Sequence, residues 1–301
     1  AVGAAKSAVI LAFSAQRIER PWMRASCGMQ MATRVRAASS RYAVLPLALR
    51  DTAMTIESED DVAALHRIGR IVSMVLQHML ERAEPGMTTR ELDALGGALL
   101  ARHGARSAPK LTYDFPGHAC ISINEQAAHG IPGDRVIARG DVLNVDVSAE
   151  LDGYFADTGG TIVVPPATPQ KTRLCHASRT ALAQAMKAAR AGRPLNGIGG
   201  AIERTATTYG FRIIENLGSH GVGRALHEAP DHIPGYYDPA DTRALREGMV
   251  ITIEPFLSTK SRLVSEADDG CTLVGDRGGL SAQYEHTMII TRGEPIVVTR
   301  H

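Results

Sequence analysis

Four carboxylates and three histidines stand where an apolar, strand-like run or a glycine-rich turn of this chain is interrupted. Asp146 lies inside "NVDVSAE" and Asp157 follows "YFA"; Glu254 interrupts "VITIEPF" and Glu285 precedes "HTMII". His220 and His227 stand seven residues apart in "SHGVGRALHE", and His129 sits in "AAHGIPG". Each alone has a plain reading: a strand-end aspartate beside the hairpin signal Asp152-Gly153, a solvent-facing glutamate, a loop histidine. A carboxylate on a buried strand, however, is costly to desolvate unless it is paired or bound to a metal. If four carboxylates and a histidine gather in one place they repel one another, and the gathering requires a cation.

The surrounding elements decide whether they gather. Ser58 can cap a helix whose first turn is acidic (Glu59, Asp60, Asp61) and whose apolar residues Val62, Leu65, Ile68, Val72, Val75, Leu76 and Met79 recur at helical spacing; Glu84-Pro85-Gly86 stops it. Thr88 with Glu91 forms a capping box for a second helix ending near Gly104. Short β-rich runs follow in "ACISIN", "VLNVDVS", "YFADT" and "TIVV". The order then repeats. Thr168-Pro169 opens an Ala-rich helix to about Gly192, "GIGGAIERTATTYG" reads as a shorter one, and "FRII", "MVITIEPFL", "CTLV", "QYEHTMIIT" and "PIVV" read as strands. Two rounds of helices followed by strands predict an α+β domain of two related halves, with helices over one face of a largely antiparallel sheet.

Composition narrows the function classes. No apolar run of the 301 residues approaches the length of a membrane span. Cys27, Cys120, Cys175 and Cys271 are scattered with no CxxC pair, so no zinc ribbon or disulfide framework is indicated, and a reducing cytoplasm is the default. The first 53 residues carry eight basic and two acidic side chains, against 25 basic and 30 acidic in the rest. A mildly acidic body argues against a nucleic-acid surface. Residues 1–53 read as a basic, Ala/Ser-rich extension, either translated upstream of a start at Met54 or a transit segment, and residues 54–301 as the folded catalytic domain. The glycine clusters "GIGG" and "GSHGVG" match no phosphate loop.

Five separated motifs, in order from about Met54 to the C-terminus, resemble those of the methionine aminopeptidases of the pita-bread metallopeptidase family, in their short bacterial form. They are "CISINEQAAHGIP", "NVDVSAELDGYFADT", "SHGVGRALHE", "TIEP" and "SAQYEHT". The resemblance implies a pita-bread fold and two divalent ions held by Asp146, Asp157, His220, Glu254 and Glu285, with Asp157 and Glu285 bridging. Such a ligand set suits Mn, Fe(II), Co or Zn without choosing among them. The resemblance also implies catalytic roles for His129, His227 and Glu254, and a methionine pocket lined by Phe115, Cys120, His129 and Leu226, with His227 and Cys271 beside it. The partners it implies are the N-termini of nascent polypeptides and peptides, met at the ribosome and acted on by a monomer.

Three positions depart from the family pattern. Leu226 stands where many relatives carry an aromatic residue, Cys271 where many carry tryptophan, and Ser219 where glycine is usual. The first two leave the pocket apolar with less aromatic surface, so its selectivity is expected to be looser. The rival enzyme is a proline-specific peptidase of the same fold, which usually carries a large N-terminal domain; here about a hundred residues separate Met54 from Asp146. A non-enzymatic peptide-binding module of this fold would typically lose metal ligands, and all five are present.

Overall fold

The two capping boxes form as their residue types require. Ser58 accepts the Asp61 backbone N–H at 3.2 Å while the Asp61 carboxylate takes the Ser58 N–H at 2.9 Å; Thr88 and Glu91 exchange the same pair of bonds at 3.2 and 2.8 Å. In this computed structural model, residues 56–300 are described. The basic extension over residues 1–53 and the start at Met54 fall outside them.

Two helices open the first half: α1 (Glu59–Arg82) and α2 (Thr89–Arg102). A two-residue strand β1 (Arg106–Ser107) and a short helix α3 (Ala108–Tyr113) lead into β2 (Cys120–Ile123), β3 (Gln126–Ala128), β4 (Val142–Leu151) and β5 (Tyr154–Val163). The second half repeats the order with α4 (Pro169–Ala188) and α5 (Asn196–Tyr209), followed by β6 (Arg212–Ile213), β7 (Gly218–Gly221), β8 (Glu228–Pro234), β9 (Val250–Ile253) and β10 (Phe256–Ser258). The chain closes with β11 (Val264–Glu266), β12 (Leu273–Gly275), β13 (Ser281–Gln283), β14 (His286–Ile289) and β15 (Ile296–Val297).

Every ladder among the described residues is antiparallel. In the first half β4 is flanked by β1, β2 and β5; in the second, the strand order is β15-β14-β9-β7-β8. Each half has its own core. Ile68, Val72, Val75, Leu76 and Met79 of α1 pack with Leu92 and Leu100 of α2 on Ile121, Leu143, Val145 and Val147. Leu174, Ala181, Leu182, Ile198 and Ile202 of α4 and α5 pack on Ile251, Ile253, Leu257 and Met288. Complete burial stabilises each of the larger side chains by roughly 1.5–3 kcal/mol, which fixes the helices over one side of the strands.

The structure differs from the sequence reading at four places. "YFADT" and "TIVV" are one strand, β5, because Gly159 and Gly160 continue the ladder opposite Asp146 and Val145. "MVITIEPFL" is two strands, since Pro255 lacks an N–H to continue the ladder. "QYEHTMIIT" likewise divides between β13 and β14, with Tyr284 and Glu285 at the break. "GSHG", which reads as a glycine turn, is the strand β7. Short elements without a periodic signal, α3 and β8, had no counterpart in the reading.

Candidate metal centre

The long hairpin β4–β5 turns at Asp152 and Gly153, both with positive φ (53° and 81°), as a two-residue primed turn demands. Its register places Asp146 opposite Gly159 and Asp157 opposite Ser148. The two aspartates are therefore diagonal neighbours on one face, offset by two residues. Their carboxyl groups are close enough to perturb each other. Cys120, opposite Asp146 on β2, shares that face.

The glutamates come from the strand breaks of the second half. The β9–β14 ladder ends at Ile253↔His286, and the β10–β13 ladder begins at Phe256↔Gln283. Glu254 and Glu285 occupy the gap between the two ladders. His220 reaches the same place from β7, its Nε2 3.5 Å from Glu254 Oε1. Its Nδ1 lies 2.9 Å from the Gly221 carbonyl, which can only accept, so Nδ1 carries the hydrogen and Nε2 keeps a lone pair for a metal.

Asp157, His220 and Glu285 each offer a ligand atom within 4.8 Å of the others, and all three are buried. Asp157 Oδ1 and Glu285 Oε1 are buried with no hydrogen-bond donor. Burial raises the Asp157 carboxyl well above its usual range, with Glu285 and Asp146 adding to the rise. Burial likewise pushes Asp146 up to about 6. Glu254 and Glu285 are raised strongly, first by burial and then by neighbouring carboxylates. A set of mutually repelling carboxylates with undonated oxygens is what a cation would relieve, so the donor set fits a divalent metal.

The histidines surround this set. The His227 ring lies 4.1 Å, centroid to centroid, from that of His220. Burial and the neighbouring His220 and His129 hold His227 well below its ordinary value. Burial lowers His129 to about 4. Its backbone is left-handed, φ 53°, an uncommon state for a residue with a Cβ.

A buried amide and two hydroxyls support the ligands. Asn144 Nδ2 donates to Gln283 Oε1 at 2.9 Å, which leaves Gln283 Nε2 to donate to Glu285 Oε2 at 2.9 Å. Ser219 Oγ accepts the Glu254 N–H at 2.9 Å, and Thr252 Oγ1 accepts the His220 N–H at 3.2 Å, where the β7–β9 pairing is otherwise limited to Gly221↔Ile251. Sequence reasoning missed Gln283 and Thr252. A buried polar side chain two residues from a ligand was the available signal.

Phe115, Cys120 and Cys271 cluster beside the centre, with Ile131, which the sequence reading omitted, packed on them. Leu226 is buried in the loop before His227 and does not join that cluster. Cys120 and Cys175 are free thiols.

The model of metallopeptidase family M24 matches residues 63–292. Methionine aminopeptidase 2 of Bacillus subtilis is 43% identical over 248 residues, covering 82% of this chain and 100% of that protein. The crystal structure of methionine aminopeptidase from Thermotoga maritima superposes with a TM-score of 0.78 at 29% identity, over 82% of this chain and 100% of that one. A prolidase from Pyrococcus furiosus, 22% identical, shares the fold with a TM-score of 0.66, over 84% of this chain and 67% of its own. With sequence and fold matched over the whole length of both aminopeptidases, this chain belongs to the methionine aminopeptidases of metallopeptidase family M24.

Proposed function

We propose that the protein removes the N-terminal methionine from nascent polypeptides and peptides by hydrolysis of the first amide bond. The observation that carries this reading is the buried set of Asp157, His220 and Glu285, with undonated carboxylate oxygens, in a chain that matches methionine aminopeptidases over their whole length. Asp146, Asp157, His220, Glu254 and Glu285 would hold two divalent ions, of Mn, Fe(II), Co or Zn. When bound, such ions supply Lewis-acid polarisation of the scissile carbonyl and acidify an attacking water.

The side chains supply the rest. Glu254, carried on the break after β9, takes the proton of the attacking water and delivers it to the leaving nitrogen. His227 donates a hydrogen bond to the oxyanion as the carbonyl becomes tetrahedral. His129 hydrogen-bonds the scissile amide nitrogen as it becomes an amine. Phe115, Cys120 and Cys271, with Ile131, form an apolar wall for the methionine side chain, and Leu226 lies in the neighbouring loop.

In this reading residues 54–301 are the catalytic domain, working as a monomer in the cytoplasm on protein N-termini, with neither nucleic acid nor membrane as a partner. No helix of the described residues is long and apolar enough to cross a membrane. The deciding assay is hydrolysis of Met-Ala-Ser beside an Ala-Pro peptide, with Mn(II) or Co(II) and again after chelation. Metal-dependent release of free methionine is expected. Cleavage confined to the bond before proline would transfer the chain to the proline-specific peptidases.

A further inference from the structure

His227 has a partner outside the ligand set. The short helix α3, capped by Ser107 and carrying Pro109 in its first turn, ends at Tyr113, and Asp114 follows in the left-handed conformation, φ 56°. Phe115 is then buried in the pocket wall. The half-buried Tyr113 hydroxyl makes a short hydrogen bond with His227 Nδ1, with the two rings 5.6 Å apart and inclined at 49°. Burial, with the negative charge of Asp157, pushes the phenol up to about 12, so it keeps its hydrogen across the physiological range.

The two neighbouring histidines therefore face opposite requirements. The Gly221 carbonyl forces the hydrogen of His220 onto Nδ1 and frees Nε2 as a lone pair. A phenol that donates to Nδ1 of His227 does the reverse, and in the neutral ring the hydrogen moves to Nε2. One imidazole is left as a base toward a metal and its neighbour, 4.1 Å away, as a donor. We propose that Tyr113 is a positioning residue for His227: its phenol donates to Nδ1, fixes the ring, and keeps the hydrogen on Nε2, the nitrogen then left to donate to the substrate carbonyl. The role of His227 toward substrate rests on the peptidase reading above; the hydrogen bond and the tautomer do not.

The test uses the full chain, with 15N-labelled histidine and added Zn2+, which is diamagnetic. Two-bond proton–nitrogen correlation spectra read the His227 tautomer, with His227→Gln serving for assignment. The wild type is expected to show hydrogen on Nε2, and Tyr113→Phe a mixture or a shift to Nδ1. Tyr113→Phe should lower kcat on Met-Ala-Ser about 10- to 100-fold, the range for losing the partner that orients a site imidazole, with KM within about twofold. A general structural defect would lower the bound-metal content and thermal stability without changing the tautomer. Hydrogen on Nδ1 in the wild type overturns the proposal, as does a Tyr113→Phe variant with unchanged tautomer and kcat.

Should Tyr113→Phe not fold, replacement of tyrosine by 3-fluorotyrosine strengthens the phenol as a donor. A shifted His227 Nδ1 resonance then supports the bond, and an unmoved one overturns it. A wild type that releases no methionine but shows the Tyr113-dependent tautomer sinks the peptidase reading and leaves the positioning intact. Release of methionine with a tautomer indifferent to Tyr113 does the opposite.

Discussion

Glu254 and Glu285 face one another across the one place where both of their strands leave a ladder. Ile253 pairs with His286 on one side and Phe256 with Gln283 on the other, in the same continuous register. Burial raises both carboxyls; Glu254 and Asp146 add to the rise at Glu285, and Asp146 and Asp157 to that at Glu254. The metal-free fold thus stores repulsion that a cation releases.

Glu285→Gln removes one charge from that set. Its metal-free form should melt higher than the metal-free wild type, while losing the stabilisation that metal confers, about 2.7 kcal/mol at a hundredfold excess over Kd. Methionine release should fall nearly to background. Thermal melts with and without Mn(II), together with metal analysis, check this; an active variant holding two ions would refute the ligand assignment.

Gly159→Ala tests the support of the ligands separately from the ligands. A Cβ at Gly159 would stand 2.2 Å from Gln283 Oε1, the far end of a flexible side chain, so the chain can yield by moving the amide. That amide holds Glu285 Oε2 and receives Asn144. Metal affinity should fall about 10- to 100-fold, as for loss of an orienting partner, while stability drops by only about 1–3 kcal/mol. Calorimetric metal titration and urea unfolding would separate the two.

Ser219→Gly removes the acceptor for the Glu254 N–H. A buried amide left without its partner costs about 1–3 kcal/mol, which denaturant unfolding can read. An unchanged midpoint would mean that the backbone re-forms the bond within the ladder.

Asp61 sets an acid limit. Hydrogen bonds from Tyr154 and Ser58, strongest first, hold its carboxyl at about 2 against an ordinary 3.8. A depressed pKa in the fold contributes stability above the unfolded value and loses it as pH falls through the folded one, here between about pH 4 and 2. Arg224, 2.8 Å from Asp61 and stacked on Tyr154, belongs to the same contact and leads into the loop of Leu226 and His227. Asp61→Asn should flatten the melting temperature against pH across that window. A variant as acid-sensitive as the wild type would remove Asp61 from the account.

Sequence alone determined the local events. Capping boxes at Ser58 and Thr88, the Asp152-Gly153 turn and the helical periodicity of α1 each depend on residues within a few positions of one another, and each formed where those residues stand. The motif set around Asp146, Asp157, His220, Glu254 and Glu285 was legible too, because carboxylates and histidines interrupt runs that are otherwise apolar.

Only the tertiary structure decided what those interruptions meet. That Gly159 lies under Gln283, and that Tyr113 reaches His227, 114 residues along the chain, depend on packing two halves against each other. No periodicity encodes such contacts. The offset of Asp146 from Asp157 is likewise a matter of register, which the turn sets and the buried face of the sheet enforces, since a slip of one residue would turn every one of these side chains to the other face.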